Sequence, residues 1–245
     1  MTTGEMLKSL YEEAQFRPGP LSVFVNPFYF ARKGLYRHIR ALAAEIRGKT
    51  LDVGCGRKPY ESLFPSSEYV GLEIDTPENR KHKKADVFYD GTVFPFAEAE
   101  FDSVVVNEVF EHAFDPDGFL SEVHRVLKPG GALLMTVPFV WDEHEAPRDY
   151  ARYSSFGLSA ILQRHDFQVV VLRKSVDDIR VVFQLLTGYI YKKTVTRSPL
   201  INILLTLLLI APFNLLGEIL GIILPRNGDL YLDNVVLARK ARTSG

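Results

Sequence analysis

The chain holds one cysteine, Cys55, so no disulfide can close within it and a reducing compartment suits it. It lacks a charge bias: 29 Lys and Arg stand against 30 Asp and Glu, a net charge of -1. Without an excess of positive charge there is no electrostatic footprint for nucleic acid, and no nucleic-acid partner is expected. An apolar run is missing from the start of the chain. MTTGEMLKSLYEEAQF is polar and carries Glu5, Glu12 and Glu13. That composition does not suit a signal peptide, and most of the protein is expected to face the cytoplasm. No internal repeat and no low-complexity tract interrupts the 245 residues, a length that suits one large domain or one domain with an elaboration.

What is present is an alternation of short apolar runs with helical patterns. RKGLYRHIRALAAEI places Leu35, Ile39, Leu42 and Ile46 on one helical face. Strands are predicted at KTLDV, EYVGLEI, KKADVF, FDSVVVN, ALLMTVPF and FQVVVL, with a last one at LYLDNVVLARK. Val104, Val105 and Val106 in a row suit a strand buried on both faces of a parallel sheet. DGFLSEVHRVL reads as a helix stopped by the turn KPGG, and SSFGLSAILQRH as a helix capped by Ser154 or Ser155. The pattern predicts an α/β fold with a doubly wound, mostly parallel seven-stranded sheet. The expected organisation is an N-terminal helical extension over 1–48, a core over 49–174, an apolar helical insert over 175–229 and a last strand with its tail over 230–245.

The first strand ends in Asp52 and turns on Gly54 and Gly56, which lets backbone approach a ligand. Glu73 closes the second strand, where a carboxylate can accept from ribose hydroxyls, and Asp86 is expected to end the third, within reach of an adenine amine. A dinucleotide needs a third glycine for its pyrophosphate and helix packing; Pro59 stands there instead. S-adenosylmethionine carries no phosphate and needs only the first two glycines.

These residues resemble the class I S-adenosylmethionine-dependent methyltransferases of the type 11 group, over roughly Asn26 to Val170 and the last strand. The resemblance rests on LDVGCG, GLEID, ADVFYDGTVFPF, FDSVVVNEVFEH and EVHRVLKPGGALLMTVP. It implies S-adenosyl-L-methionine as cofactor. Asp52, Gly54 and Gly56 would line its methionine end, with the Cys55 backbone between them. Glu73 would bind the ribose. Asp86 would hold the adenine amine with the Val87 backbone beside it, and Asn107 would sit beneath the cofactor. Read without the resemblance, the glycines are turn residues, Glu73 and Asp86 are solvated strand-end acids, and Cys55 is a small packing residue. Arg57 and Lys58 suit an anionic substrate or a solvated turn equally.

Methyl transfer needs an acceptor aligned with the methyl group and, for a hydroxyl, a base. Two histidines are placed for that: His112 after the fourth strand and His144 after the fifth. The stretch PFVWDEHEAPRDYARYSS gathers Trp141, Arg148, Arg152 and Tyr153 as substrate contacts around His144. The alternative is a loop clasp in which Asp149 pairs with Arg152 and His144 only orients the turn. No metal is expected, because neighbouring acids in one loop do not converge on an ion.

From Pro199 to Pro225 the insert reads PLINILLTLLLIAPFNLLGEILGIILP, with Glu218 its one charge. Asn202, Thr206, Asn214 and Glu218 recur at multiples of four, a single polar side, and Pro212 is expected to split the stretch into two half-helices. Its length would cross a bilayer, but the last strand must return to the sheet, so peripheral membrane contact through 199–225 is expected. A homodimer interface or a lid over the substrate pocket is the alternative. The stretches GCGRKPY and NPFYFARKGLY resemble enzymes of cell-surface polysaccharide assembly. The leading expectation is therefore O-methylation of a lipid-linked sugar or other apolar acceptor, with a quinone or isoprenoid ring next. A non-catalytic scaffold that keeps the fold is the reading from another class.

Overall fold

The computed structural model describes residues 15–242. The first fourteen residues of the expected N-terminal extension, with Glu5, Glu12 and Glu13, lie outside them. Two compact units account for the rest, one of residues 38–173 with 234–242, the other of residues 15–37 with 174–233.

The first unit is built on the sheet. Seven strands, β1 (Gly48–Val53), β2 (Ser66–Ile74), β3 (Val87–Tyr89), β4 (Phe101–Asn107), β5 (Leu127–Pro138), β6 (Phe167–Ser175) and β7 (Asp233–Lys240), lie in the order β3-β2-β1-β4-β5-β7-β6. β1 pairs parallel with β2 and β4, β2 with β3, and β4 with β5. Val104, Val105 and Val106 are fully buried, so both faces of β4 are covered as their run implies. Leu51, Leu72, Leu120, Val123, Leu133, Leu158 and Val236 belong to one continuous core. Helices α1 (Ser22–Val25), α2 (Tyr29–Leu42), α3 (Pro77–His82), α4 (Pro116–Val126) and α5 (Ser155–Arg164) come before the insert. Side-chain oxygens of Thr76, Asp115 and Ser154 cap α3, α4 and α5.

Two expectations change. KPGG is not a free turn. β5 begins at Leu127, directly after α4, and the pairing jumps from Phe101 opposite Leu127 to Ser103 opposite Ala132. Lys128–Gly131 is thus a bulge within the strand, with Gly130 at φ +77°. Asp86 does not end β3; it stands one residue before it, because the strand runs over Val87–Tyr89.

The second unit joins the N-terminal segment to the insert. After α6 (Arg180–Thr194), α7 (Pro199–Leu205) continues through a π-helical turn at Thr206–Ile210 into α8 (Ala211–Ile223), a single helix over Pro199–Ile223. Pro212 therefore does not separate two half-helices. It lies inside this continuous helix, and the wider π turn directly before it accommodates the missing N–H and the ring. The polar side expected on this helix faces inward. Asn214 is fully buried and donates to the carbonyls of Val23 (2.9 Å) and Asn26 (3.2 Å). Glu218 pairs with Lys33 at 2.5 Å and Arg180 at 3.5 Å. Thr206 is buried as well, while Leu200, Leu208, Ile219 and Ile222 are exposed.

Asn214→Leu strips two buried carbonyls of their donor and is expected to cost about 1–3 kcal/mol. Urea unfolding measures it; an unchanged midpoint would mean that other donors replace the amide.

Candidate functional site

Parallel pairing places the carboxyl ends of β1 to β5 at one edge of the sheet, where α/β folds bind ligands. After β1 the chain turns through Gly54 (φ +67°) and Gly56 (φ +54°). A Cβ on Gly54 would lie 2.4 Å from Val109 Cγ2, so both conformation and space demand glycine. At Gly56 the space is open, the nearest atom being Lys83 Nζ at 4.0 Å. The Gly56 amide donates to Glu73 Oε1 at 2.7 Å, tying the turn to the end of β2, and Asn79 Nδ2 donates to Glu73 Oε2 at 3.4 Å.

Asp52 is buried at the end of β1 and accepts from Tyr69 Oη at 2.8 Å. Burial pushes its carboxyl up to about 7, against the pull of the Tyr69 hydroxyl and of Lys58. Cys55 is buried and its thiol is pushed up, again by burial, so it is a packing group rather than a nucleophile. Arg57 is exposed on the turn.

The two residues expected beside the adenine lie at the start of β3. Asp86 Oδ2 accepts from the Gly71 amide at 2.7 Å and from Lys58 Nζ at 2.5 Å. Burial opposes its ionisation, but these two donors win and hold it below the ordinary carboxylate range. Val87 stands in register with Leu72, inside the ladder rather than beyond it. The acid that follows β3 at the ligand edge is Asp90. Its Oδ1 accepts from the Thr92 amide (2.9 Å) and hydroxyl (2.6 Å). The Asp-Gly pair after Val87–Tyr89 is a turn signal that would have marked this strand end.

Asn107 ends β4, and its Oδ1 is buried without a hydrogen-bond partner. The next residue, Glu108, takes φ +52°, its amide held by the Thr136 carbonyl and hydroxyl at 3.1 Å each. A short 3-10 turn at Phe110–His112 then carries Glu111 inward to full burial. The Glu111 carbonyl accepts the amides of Tyr150 (2.9 Å) and Ala151 (3.2 Å), which fastens the loop after β5 to the loop after β4.

His112 and His144 come together across that seam, ring centroids 4.8 Å apart. Their Nε2 atoms lie 3.6 Å and 3.9 Å from Glu111 Oε1. Arg152 grips both oxygens of Asp149, at 2.5 and 2.7 Å, and also donates to the Asp142 carbonyl at 3.0 Å. That guanidinium keeps the Asp149 carboxyl well below its usual range despite burial. Asp149 in turn accepts the His144 amide at 3.0 Å. Tyr153 stacks on Phe110 at 4.9 Å, and its carbonyl accepts from Asn234 at 2.7 Å. Arg152 and Tyr153 thus build the clasp, Trp141 is half-buried beside it in the chain, and the Arg148 side chain is exposed. Glu111 and Asp90 stand at this edge of the sheet without having been singled out in the sequence. Nothing local marks Glu111 as buried, since only the second loop closes over it.

Residues 51–135 match the family described as a methyltransferase domain, type 11. Residues 51–135 are thus a methyltransferase domain of the class I S-adenosylmethionine-dependent kind. The fatty-acid O-methyltransferase of Mycolicibacterium smegmatis is 35% identical over 112 residues, 40% of this chain and 40% of that protein. The sterol 24-C-methyltransferase of Aspergillus fumigatus is 36% identical over 124 residues, 43% of this chain and 32% of that protein. The chain thus spans well under half of these relatives. Among solved structures, phosphoethanolamine N-methyltransferase 2 of Haemonchus contortus, in complex with S-adenosyl-L-methionine, has a TM-score of 0.54 at 18% identity, covering 91% of this chain and 56% of that one. The [4+2]-cyclase SpnF has a TM-score of 0.54 at 16% identity, over 98% of this chain and 95% of that one. At such identities the likeness is one of fold.

The methyltransferase domain fits its cofactor on three local observations. The Gly54 backbone admits no side chain, the space above Gly56 is open, and Asn107 holds a buried acceptor without a partner.

Asp52 binds its proton more tightly in the folded domain than the ordinary carboxyl of an unfolded chain does. Folding therefore loses stability as pH rises from about 4 to about 7, by on the order of 4 kcal/mol at most. Asp52→Asn keeps an acceptor for Tyr69 and is expected to flatten that slope in urea unfolding across the same range. Parallel slopes for variant and parent would refute the assignment.

Proposed function

We propose that the protein is an S-adenosylmethionine-dependent methyltransferase whose acceptor is an apolar or lipid-linked hydroxyl compound met at a membrane surface, on the cytoplasmic face. The observation that carries this reading is the inverted polarity of the Pro199–Ile223 helix. Its Asn214, Thr206 and Glu218 turn inward, while Leu200, Leu204, Leu208, Ile219 and Ile222 turn out, each more than half exposed. Water disfavours such a surface at about 25 cal/mol per Å² of apolar area, and a lipid interface accommodates it.

The helix is 25 residues long, enough to cross a membrane by length and composition alone. Yet the Leu232 amide donates to the Ser175 carbonyl at 3.0 Å, so the insert leaves and returns at one place. A full crossing would need α6 to cross back, and its 15 residues reach only about 22 Å, short of a ~30 Å hydrocarbon layer. Lying in the interface satisfies both facts, with Lys192, Lys193 and Arg197 at the headgroups. The fatty-acid and sterol methyltransferases, by their names, act on apolar molecules, which supports the same class of acceptor here.

S-adenosyl-L-methionine, when bound, supplies an electrophilic methyl group on a sulfonium. The chain's own contribution is placement. Gly54, Gly56, Glu73 and Asn107 hold the cofactor, and Asp90, rather than Asp86, stands at the adenine-side edge. Glu111, His112 and His144 line the acceptor side, and proton loss from the acceptor hydroxyl depends on His144.

Flotation with phosphatidylglycerol vesicles tests the surface. The parent chain is expected to float, and Leu208→Glu with Ile219→Glu to stay in solution with unchanged calorimetric binding of S-adenosylmethionine. A soluble dimer that ignores vesicles would overturn the membrane reading. On a lipid extract, His144→Ala is expected to cut formation of a product one methylene heavier by about 100-fold, with cofactor affinity retained.

A further inference from the structure

We propose that Glu111, His112 and His144 form a binding site for a divalent transition-metal ion of the zinc type. One ligating atom from each of the three side chains lies within 4.8 Å of the other two. Glu111 Oε1 is 3.6 Å from His112 Nε2 and 3.9 Å from His144 Nε2. Tetrahedral ligands bonded to zinc at about 2.0–2.1 Å stand roughly 3.3–3.5 Å from one another. Side-chain shifts of up to about an ångström bring all three pairs to that spacing.

The far side of each imidazole is already committed. His112 Nδ1 lies 2.5 Å from the Arg148 carbonyl, which can only accept, so Nδ1 carries the proton there. His144 Nδ1 lies 3.3 Å from the Asp142 carbonyl and 3.3 Å from Asp149 Oδ2. Each ring thus turns its Nε2 toward the Glu111 carboxylate. An imidazole whose other nitrogen donates to a carbonyl or carboxylate is the usual second-shell pattern around a metal.

Two neutral imidazoles and one carboxylate suit zinc and its first-row neighbours. The histidine side chains remain 16% and 28% exposed, so the fourth position is open to an oxygen ligand, the arrangement of reactive rather than purely structural sites. No single loop supplies the set: Glu111 and His112 follow β4, and His144 follows β5. That is why the sequence alone gave no reason to expect a metal. The ion's place beside a methyl acceptor rests on the function proposed above, whereas its binding does not.

The purified full chain, stripped with a chelator and dialysed against zinc, is expected to retain about one zinc per chain by elemental analysis. Glu111→Gln and His144→Ala, each checked for native circular dichroism, are expected to lose it. Cobalt in place of zinc should give the visible absorption of a four- or five-coordinate ion in the parent and not in the variants. Zinc content that ignores both substitutions, or an absence of zinc in folded parent protein, would overturn the site. Calorimetry with S-adenosylmethionine separates the two ideas: folded parent protein that binds the cofactor but retains no zinc would sink the metal site and leave the methyltransferase standing.

Discussion

The register of β1 between its two neighbours is the constraint on which the site depends. Asp52 stands opposite Gly71 on one side and Val105 on the other, and Val53 opposite Leu72 and Val106. With those parallel ladders set, the glycine turn, Glu73 and Asn107 must emerge at one edge. A slip by one residue would reverse the faces of Leu51 and Val53 and aim Asp52 elsewhere. The bond from the Gly56 amide to Glu73 then locks the turn to the next strand. A carboxylate that could bind a ribose is thus held by the turn that shapes the cofactor's place.

A second fastening works at the opposite side of the edge. The Glu111 carbonyl receives two amides of the loop after β5, and Arg152 with Asp149 closes that loop on itself. These bonds join two segments far apart in sequence and bring two histidines face to edge. Glu108 accepts an unfavourable positive φ to make the bend, held by two bonds to Thr136. Strain of this kind collects where side chains must be aimed rather than merely packed.

The insert solves a different problem. Its polar groups satisfy buried carbonyls and cations within its own unit, which leaves apolar side chains outside. A period of four in the sequence announces one distinct face but does not say whether that face points to water or to protein. Asn214, with two carbonyl partners and full burial, decides it. The π turn before Pro212 likewise had no local signature, because it depends on how the helix is supported along its length.

The sequence by itself determined the strands, their order of appearance, the glycine turn and the class of cofactor. Each rests on residues near one another in the chain: Val104 to Val106, Gly54 with Gly56, Glu73 at a strand end. Short-range sterics and hydrophobic period are enough to write such features locally. Only the tertiary structure decided that Asp86 lies before its strand and Asp90 after it, since a three-residue strand is defined by its pairing partner. Only it decided that Glu111 is buried between two histidines, and that the greasy helix turns its polar side inward. Those outcomes depend on groups tens to hundreds of residues away, and a linear pattern carries no record of which distant donor a buried carboxylate or carbonyl will meet.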